Sequence, residues 1–254
     1  MSSDPSPQPP LATLPGVLEL PRIGAVKRPS NFSYYGPVSP RLVSEAAQFL
    51  TTRTDVDFMA VSPYLDSYLN STSADCIGSD AEKSACWFLI RITQSGDQWK
   101  IPRWHQDGRM YPYDTGRESV VRSKYGTTLL GPHTLMLPAA PHLFDILKQS
   151  KEIFWFWQGE KDVFAQTTAA QRQDSMFEQR IWLAEEYKNE ELVELRKGEI
   201  IRFSWGRDDS PIHSEPDLVC DRVFLTVLYG SAQELKGMCE MREEVYGKHD
   251  AEDR

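Results

Sequence analysis

Several short stretches of this chain are rich in apolar, β-branched and aromatic residues and end in turn-forming residues, a pattern typical of β-strands. Such runs occur at Cys86–Thr93, 125–137, 151–157, 192–195, 199–205 and Arg222–Tyr229. The Cys86–Thr93 run is apolar on both faces, which indicates a strand in the middle of a sheet. Gly131 and Pro132 interrupt the second run.

Helical spacing of apolar residues predicts a smaller number of helices. Ser39 followed by Pro40 is typical of a helix start, and Leu42, Ala46 and Phe49 continue it as one apolar stripe. Further helices are predicted at 63–69, 168–188 and 233–246, with a Ser/Asp-rich loop at 70–84. The predicted fold class is therefore mainly β with flanking helices.

These elements predict three parts of the chain. Residues 1–38 are expected to form a disordered, Ser/Pro-rich tail followed by an extended arm. Residues 39–231 are expected to form one domain, with N-terminal helices and a helical insertion near 168–188. Residues 232–254 are charged and are expected to form a C-terminal helix and tail.

Composition argues against several classes of protein. The chain has 254 residues and a formal net charge of −9, which argues against nucleic acid as its main partner. Its four cysteines lack zinc-ribbon spacing, so reduced thiols in a cytoplasmic protein are expected. No secretory signal and no apolar window of roughly 20 residues are evident, so no membrane span is expected.

The candidate chemistry begins at Trp104-His105-Gln106-Asp107, directly after a strand-like stretch. Side chains alternate along a strand, so His105 and Asp107 project from the same face and suit one metal ion. His213 lies far downstream in Ser-Pro-Ile-His-Ser. Two imidazoles and a carboxylate form the facial triad of non-haem Fe(II) oxygenases.

Arg222 opens the strand that follows His213. The order HxD, distal His and strand Arg resembles the Fe(II)/2-oxoglutarate-dependent dioxygenase superfamily. The resemblance implies a double-stranded β-helix, that is, a jelly-roll or cupin-like barrel. It also implies Fe(II) on His105, Asp107 and His213, with Arg222 gripping the distal carboxylate of 2-oxoglutarate.

The resemblance implies oxidation of a small molecule by O2, coupled to decarboxylation of 2-oxoglutarate. Because Asp107 is a carboxylate where halide-installing members carry Ala or Gly, it points to hydroxylation, desaturation or ring formation. A polar molecule such as an amino acid or a natural-product intermediate is the expected substrate, and modification of a protein side chain is second. The oligomeric state stays open.

Further site residues are predicted from their position. Many members of the superfamily carry Ser or Thr two residues after the Arg, where this chain has Phe224. A second anchor for 2-oxoglutarate is therefore sought among Tyr125, Thr127, Thr128 and His133. Candidate substrate-binding residues, chosen because they precede the triad residues or belong to the Arg/Tyr-rich stretch after them, are Arg103, Arg109, Arg122, Trp205 and Arg207.

Each residue also has a structural interpretation. His105 could be a core histidine bonded to a strand carbonyl, Asp107 a turn former before Gly108, and Arg222 a half-exposed strand residue paired with Asp221. Two rival functions follow. One is a cupin-like metalloenzyme that does not use 2-oxoglutarate, which gives Arg222 no role. The other is a non-catalytic jelly-roll binding module.

Overall fold

The structure is a computed structural model that describes residues 9–77, 83–96, 100–107, 122–157, 166–205 and 208–246. Its main feature is a six-stranded antiparallel sheet with the strand order β1-β6-β4-β8-β3-β2. These strands are β1 (Leu11–Thr13), β2 (Ser30–Gly36), β3 (Ala85–Thr93), β4 (Arg122–Leu130), β6 (Ile201–Trp205) and β8 (Arg222–Gly230).

A second, small sheet pairs β5 (Leu135–Met136) with β7 (His213–Ser214). His105 extends it through an antiparallel bridge to His213. The helices are α1 (Pro40–Arg53), α2 (Phe58–Ile77), α3 (Pro141–Phe154), α4 (Ala169–Glu186) and α5 (Ala232–Tyr246). The prediction of a sheet-rich chain with flanking helices is confirmed. No helix in the described ranges combines the length and the apolar composition that a membrane crossing requires.

The large sheet has two different faces because side chains alternate along its strands. In β3, Phe88, Ile90 and Ile92 are buried in the main hydrophobic core, where Leu42 of α1 and Leu65 of α2 pack against them. The intervening residues of the same strand line a cavity on the opposite face. Helices α1 and α2 therefore cover one face, whereas the other face holds the candidate site and packs at its apolar end, through Trp87 and Leu228, against Leu235 and Met238 of α5.

The N-terminal helix is built as its sequence predicts. The Ser39 side chain accepts a hydrogen bond from the Leu42 N–H, Pro40 occupies the first turn, and Leu42, Ala46 and Leu50 are fully buried. The helix predicted near 168–188 is also present, and Thr168 and Gln171 form a capping box at its start. The central strand predicted at Cys86–Thr93 corresponds to β3, which lies between β8 and β2.

Two predictions for the N-terminal half are wrong. Residues 70–77, expected in a loop, belong to α2, whose start is capped by Asp57 through the N–H groups of Met59 and Ala60. The helix continues because Tyr68 and Leu69 are buried against the sheet. Residues Leu11–Thr13, expected in a disordered tail, pair with β6 as an edge strand. Pairing with β6 therefore determines the structure of this segment, although its Ser/Pro-rich composition is typical of disorder.

Two predicted strands are also absent. Residues 151–157 were expected to be an aromatic strand, but α3 runs to Phe154. The segment is helical because Leu143, Leu147 and Ser150, at helical spacing, form the buried face of α3. The Trp155 indole, directly after the helix, donates to Gln179 of α4. Residues 192–195 form no strand, although the Val193 N–H donates to the Met136 carbonyl at 2.9 Å.

Gly131 shapes the turn between the two sheets. Its φ of +83° lies in the left-handed region, and a Cβ there would stand 2.4 Å from the Asp221 carbonyl oxygen and 3.1 Å from the Arg222 Cα. The turn therefore fits tightly against the start of β8. The sequence interruption at Gly131 and Pro132 marks the position where the chain leaves the large sheet for the small one.

We expect Gly131→Ala to lower the free energy of unfolding by about 2 kcal/mol or more, because it adds both a strained φ and a backbone clash. Urea denaturation measures this. Gly96→Ala is the control, since a Cβ at Gly96 meets nothing within 4 Å. Equal losses in the two variants would show that the turn can adapt.

Candidate metal centre

The centre is held together by the bridge between His105 and His213. Each residue donates its backbone N–H to the carbonyl of the other at 2.9 Å. The two imidazole rings consequently lie side by side, with centroids 4.4 Å apart. Two residues far apart in sequence are thus fixed as direct neighbours by backbone pairing alone.

Gln106 and Ser214 reinforce this pairing. The Gln106 amide donates to the carbonyl oxygens of Asp208 and Ser210, at 2.8 and 2.7 Å. The Ser214 hydroxyl accepts the Arg103 backbone N–H at 2.8 Å. Side chains alternate along the HxD segment, so Gln106 points away from His105 and Asp107. Its hydrogen bonds hold the loop that precedes His213.

The histidine tautomers follow from their hydrogen bonds. The Nδ1 of His105 faces the Arg103 carbonyl at 2.7 Å, and the Nδ1 of His213 faces the Pro211 carbonyl at 3.1 Å. Because a carbonyl only accepts, each Nδ1 carries the proton and each Nε2 presents a lone pair. This is the arrangement in which outer hydrogen bonds orient histidine ligands toward a metal. Nη2 of Arg103 lies 3.5 Å from the Nε2 of His105.

Asp107 completes the group. Its carboxylate oxygens lie 3.8 Å from Nε2 of His105 and 3.4 Å from Nε2 of His213. One possible ligand atom from each of the three residues lies within 4.8 Å of the other two. The donor set of two imidazoles and one carboxylate fits a first-row divalent metal. The His-Asp-His group predicted from the sequence therefore converges and could hold a metal ion.

The protonation states also suit metal binding. Burial lowers the pKa of the His105 imidazole, and the neighbouring His213 and Arg103 lower it further. Burial alone would raise the pKa of the Asp107 carboxyl, but the Lys124 ammonium and the two imidazoles outweigh burial and hold it well below its ordinary range. A neutral imidazole and an ionised carboxylate are the forms that coordinate metals.

Lys124 is a member of the site that the sequence analysis missed. It projects from β4, its Nζ lies 2.5 Å from Oδ2 of Asp107, and it rests on the rings of Phe203 and Trp205, 5.4 and 5.3 Å from their centroids. Side-chain alternation along β4 predicts that Lys124 and Tyr125 lie on opposite faces of the sheet. The contact between Lys124 and Asp107 could not be predicted, because it depends on the tertiary structure.

A cavity of about 290 Å³ contains the group, and residues of both sheets line it. Arg222 and Thr134 lie at its wall. The Arg222 guanidinium donates to the Pro132 carbonyl and to the Thr134 hydroxyl, both at 2.9 Å, and stacks 4.2 Å from the Phe224 ring centroid. Burial lowers the pKa of Arg222, which stays charged at neutral pH.

The structural interpretation of Arg222 as a half-exposed residue paired with Asp221 is wrong. Only 5% of Arg222 is exposed, and Asp221 accepts instead from the Ser95 N–H. Phe224, at the position where many members of the superfamily carry Ser or Thr, forms the platform under the guanidinium. Thr134 supplies a hydroxyl beside Arg222 that the sequence analysis did not single out.

The proposed second anchors lie elsewhere. Tyr125 and Thr127 project from the other face of β4 into the main core side, where the Tyr125 hydroxyl donates to Asp75 and the Thr127 hydroxyl donates to the Glu199 carbonyl. Thr128 is buried, and neither it nor His133 lines the cavity. Burial, followed by the charge of Arg222, lowers the pKa of His133. For Tyr125 and Thr127, the side-chain alternation along β4 is therefore the reverse of what a role in the cavity required.

Of the predicted substrate-binding residues, Arg103 and Trp205 line the cavity. Arg109 and Arg207 lie outside the described residues, and for Arg122 the structure describes only the backbone, as the first residue of β4. Glu215 is a further cavity residue that the sequence analysis missed. It lies two positions after His213, so strand alternation was the signal that could have found it.

No protein-family model matches this chain, and no curated protein is similar enough to be identified as its relative. A His-Asp-His group in a sheet-rich fold is compatible with the oxygenase resemblance. What the geometry establishes is a group that could bind a metal ion, in a cavity that also holds a buried arginine.

We expect the purified protein to bind one Co²⁺ in isothermal titration calorimetry. His213→Ala and Asp107→Ala should each weaken binding on the order of 100-fold or more, since even outer-sphere changes cost 10–100-fold at metal sites. His142→Ala is the control, because His142 is an exposed histidine paired with Glu190 outside the cavity. Equal affinity in wild type and triad variants would exclude this centre.

We expect Lys124→Met to tighten Co²⁺ binding by about tenfold, equivalent to about 1.4 kcal/mol, because the ammonium competes with the ion for Asp107. Lys236→Met serves as the control, since Lys236 forms an exposed pair with Glu240 on α5. Weaker binding in Lys124→Met would instead mean that Lys124 orients Asp107 for the metal.

Proposed function

We propose that this protein is a non-haem Fe(II)- and 2-oxoglutarate-dependent oxygenase that oxidises a small molecule. The observation that carries the proposal is the presence of Arg222 in the same cavity as the triad. This guanidinium is buried, and no carboxylate oxygen lies within 4.0 Å of it among the described residues. The Glu215 carboxylate interacts with this charge only at longer range. A buried guanidinium without a direct ion-pair partner favours an anionic ligand.

The chemistry of the donor groups supports iron and 2-oxoglutarate together. His105, Asp107 and His213 would hold Fe(II), leaving three positions for ligands. Arg222 would hold the distal carboxylate of 2-oxoglutarate, with Thr134 fixing the guanidinium in place. When bound, the iron and cosubstrate would supply the oxidising power of O2, with succinate and CO2 as co-products.

The protein's own contribution would be orientation and exclusion of water. Phe224 covers one face of the Arg222 guanidinium, and both residues line the cavity. Phe203 and Trp205 form an aromatic wall beside the triad. A cavity of this kind strengthens ionic contacts with a bound dicarboxylate because little water competes for them.

We further propose that the two sheets are the two halves of a jelly-roll fold, as the resemblance implies. Three features support this: all strand pairs are antiparallel, the small sheet lies beside the candidate centre through β7, and both sheets line one cavity. The reaction would be hydroxylation, desaturation or ring formation on an amino acid or a natural-product intermediate.

We expect anaerobic addition of Fe(II) and 2-oxoglutarate to the protein to give a weak visible band at about 500 nm, as a chelate on such a triad does. Arg222→Gln should raise the 2-oxoglutarate concentration needed for half of that band at least about tenfold, because a carboxylate loses a charged fork partner.

Arg41→Gln is the control, as Arg41 forms an exposed pair with Glu45 on α1 and does not line the cavity. Metal binding without any band would favour a cupin-like metalloenzyme that does not use 2-oxoglutarate. Failure to bind metal would favour a non-catalytic binding module. Succinate release across a panel of small molecules, with His105→Ala as the inactive reference, would then identify substrates.

A further inference from the structure

The cavity contains a second group of charges besides Arg222, and two of its members, Glu215 and Arg91, interact electrostatically with Arg222. Arg103 lies 2.7 Å and Arg91 3.6 Å from the same Oε1 atom of Glu215. The side chains of Arg91 and Arg103 are 43% and 46% exposed, whereas Arg222 is 5% exposed. Arg91 and Arg103 therefore stand at the mouth of the cavity, where Nη2 of Arg103 also reaches to 3.5 Å from Nε2 of His105, and Arg222 lies in the interior.

The cavity as a whole carries an excess of positive charge. Among the described residues that line it, four are cationic and two are carboxylates: Arg91, Arg103, Lys124 and Arg222 against Asp107 and Glu215. This excess stands out in a chain of net charge −9. A divalent metal and a dianionic cosubstrate cancel one another, so they leave the excess unchanged. A cationic cavity in an acidic protein favours entry of an anion.

The large sheet also presents a gradient from apolar to cationic residues. Along β3, the cavity residues at every second position are Trp87, Leu89 and Arg91. On the neighbouring β8, Leu228 pairs with Trp87, and Phe224 pairs with Arg91. Arg222 is the next residue beyond Phe224 on this face of β8, so both strands have an apolar end and a cationic end on the cavity side.

The triad lies toward the apolar end of this face. Lys124, the partner of Asp107, pairs across the sheet with Leu228 of β8. Trp205, which also contacts Lys124, packs with Trp87 and Leu228 in one hydrophobic cluster. A ligand with its anionic end at Arg91 would therefore place an apolar part near the candidate metal centre.

We propose that the substrate is an organic acid with an apolar or aromatic body, and that Arg91 and Arg103 bind its acidic group at the cavity mouth. The assignment of this molecule as the oxidised substrate rests on the proposed function. The anion site itself rests only on the charges and the apolar wall. Oxidation would then occur on the apolar body.

The test uses a matched pair of probes, 3-(4-fluorophenyl)propionate and its uncharged amide, titrated by ¹⁹F NMR into the full-length protein loaded with Zn²⁺. We expect the acid to bind at least about tenfold more tightly than the amide, both with and without saturating 2-oxoglutarate. Arg91→Gln combined with Arg103→Gln should abolish this preference. Arg41→Gln is the control, an exposed arginine paired with Glu45 on α1.

Arg222→Gln should leave the acid preference in place, because the proposed site lies at the mouth. Equal binding of acid and amide, or no binding of either, would overturn the proposal. Two further results would also overturn the proposal: displacement of the acid by 2-oxoglutarate, or loss of the acid preference in Arg222→Gln alone. Either result would show that the probe occupies the interior site. Absence of the visible band with Fe(II) would contradict the proposed function and leave the acid preference as an independent result.

Discussion

The candidate site depends on one short backbone interaction, the pair of hydrogen bonds between His105 and His213. It aligns two imidazoles whose Nδ1 atoms are both used by carbonyl groups two residues earlier, at Arg103 and Pro211. Their Nε2 atoms are consequently directed together toward Asp107. Side-chain contacts alone would not fix this geometry, because imidazoles rotate freely about χ2 unless a second hydrogen bond holds them.

The large sheet separates two physical environments. One face is an apolar core under α1 and α2, where Phe88, Ile90 and Ile92 are buried. The other is a cavity in which Lys124 and Arg222 are held by aromatic rings as well as by polar partners. The Phe224 ring allows the Arg222 guanidinium to be desolvated without an apposed carboxylate, whereas Lys124 is paired with Asp107 as well as packed on aromatic rings. Aromatic contacts and carboxylate pairs together explain how the fold tolerates several cations in one confined space.

The elements that were predicted correctly have strong local causes. The start of α1 follows from Ser39 and Pro40, and α4 from the capping pair Thr168 and Gln171, each of which satisfies helix N–H groups that would otherwise lack partners. The errors have a common cause as well. The aromatic run at 151–157 has β propensity, but the burial of Leu143 and Leu147 earlier in the segment determines a helix. The β propensity of a segment does not determine its structure where packing buries apolar residues at helical spacing.

The sequence by itself determined the ligand types, because the HxD spacing places His105 and Asp107 on one strand face, and alternation is a local property of the backbone. It also pointed to His213 and Arg222 through a resemblance in their order. The tertiary structure decided which other charges join them. Lys124, Thr134 and Glu215 reach the cavity because the pairing of β4, β5 and β7 brings distant strands together, and register between distant strands depends on non-local packing that no short window of sequence encodes.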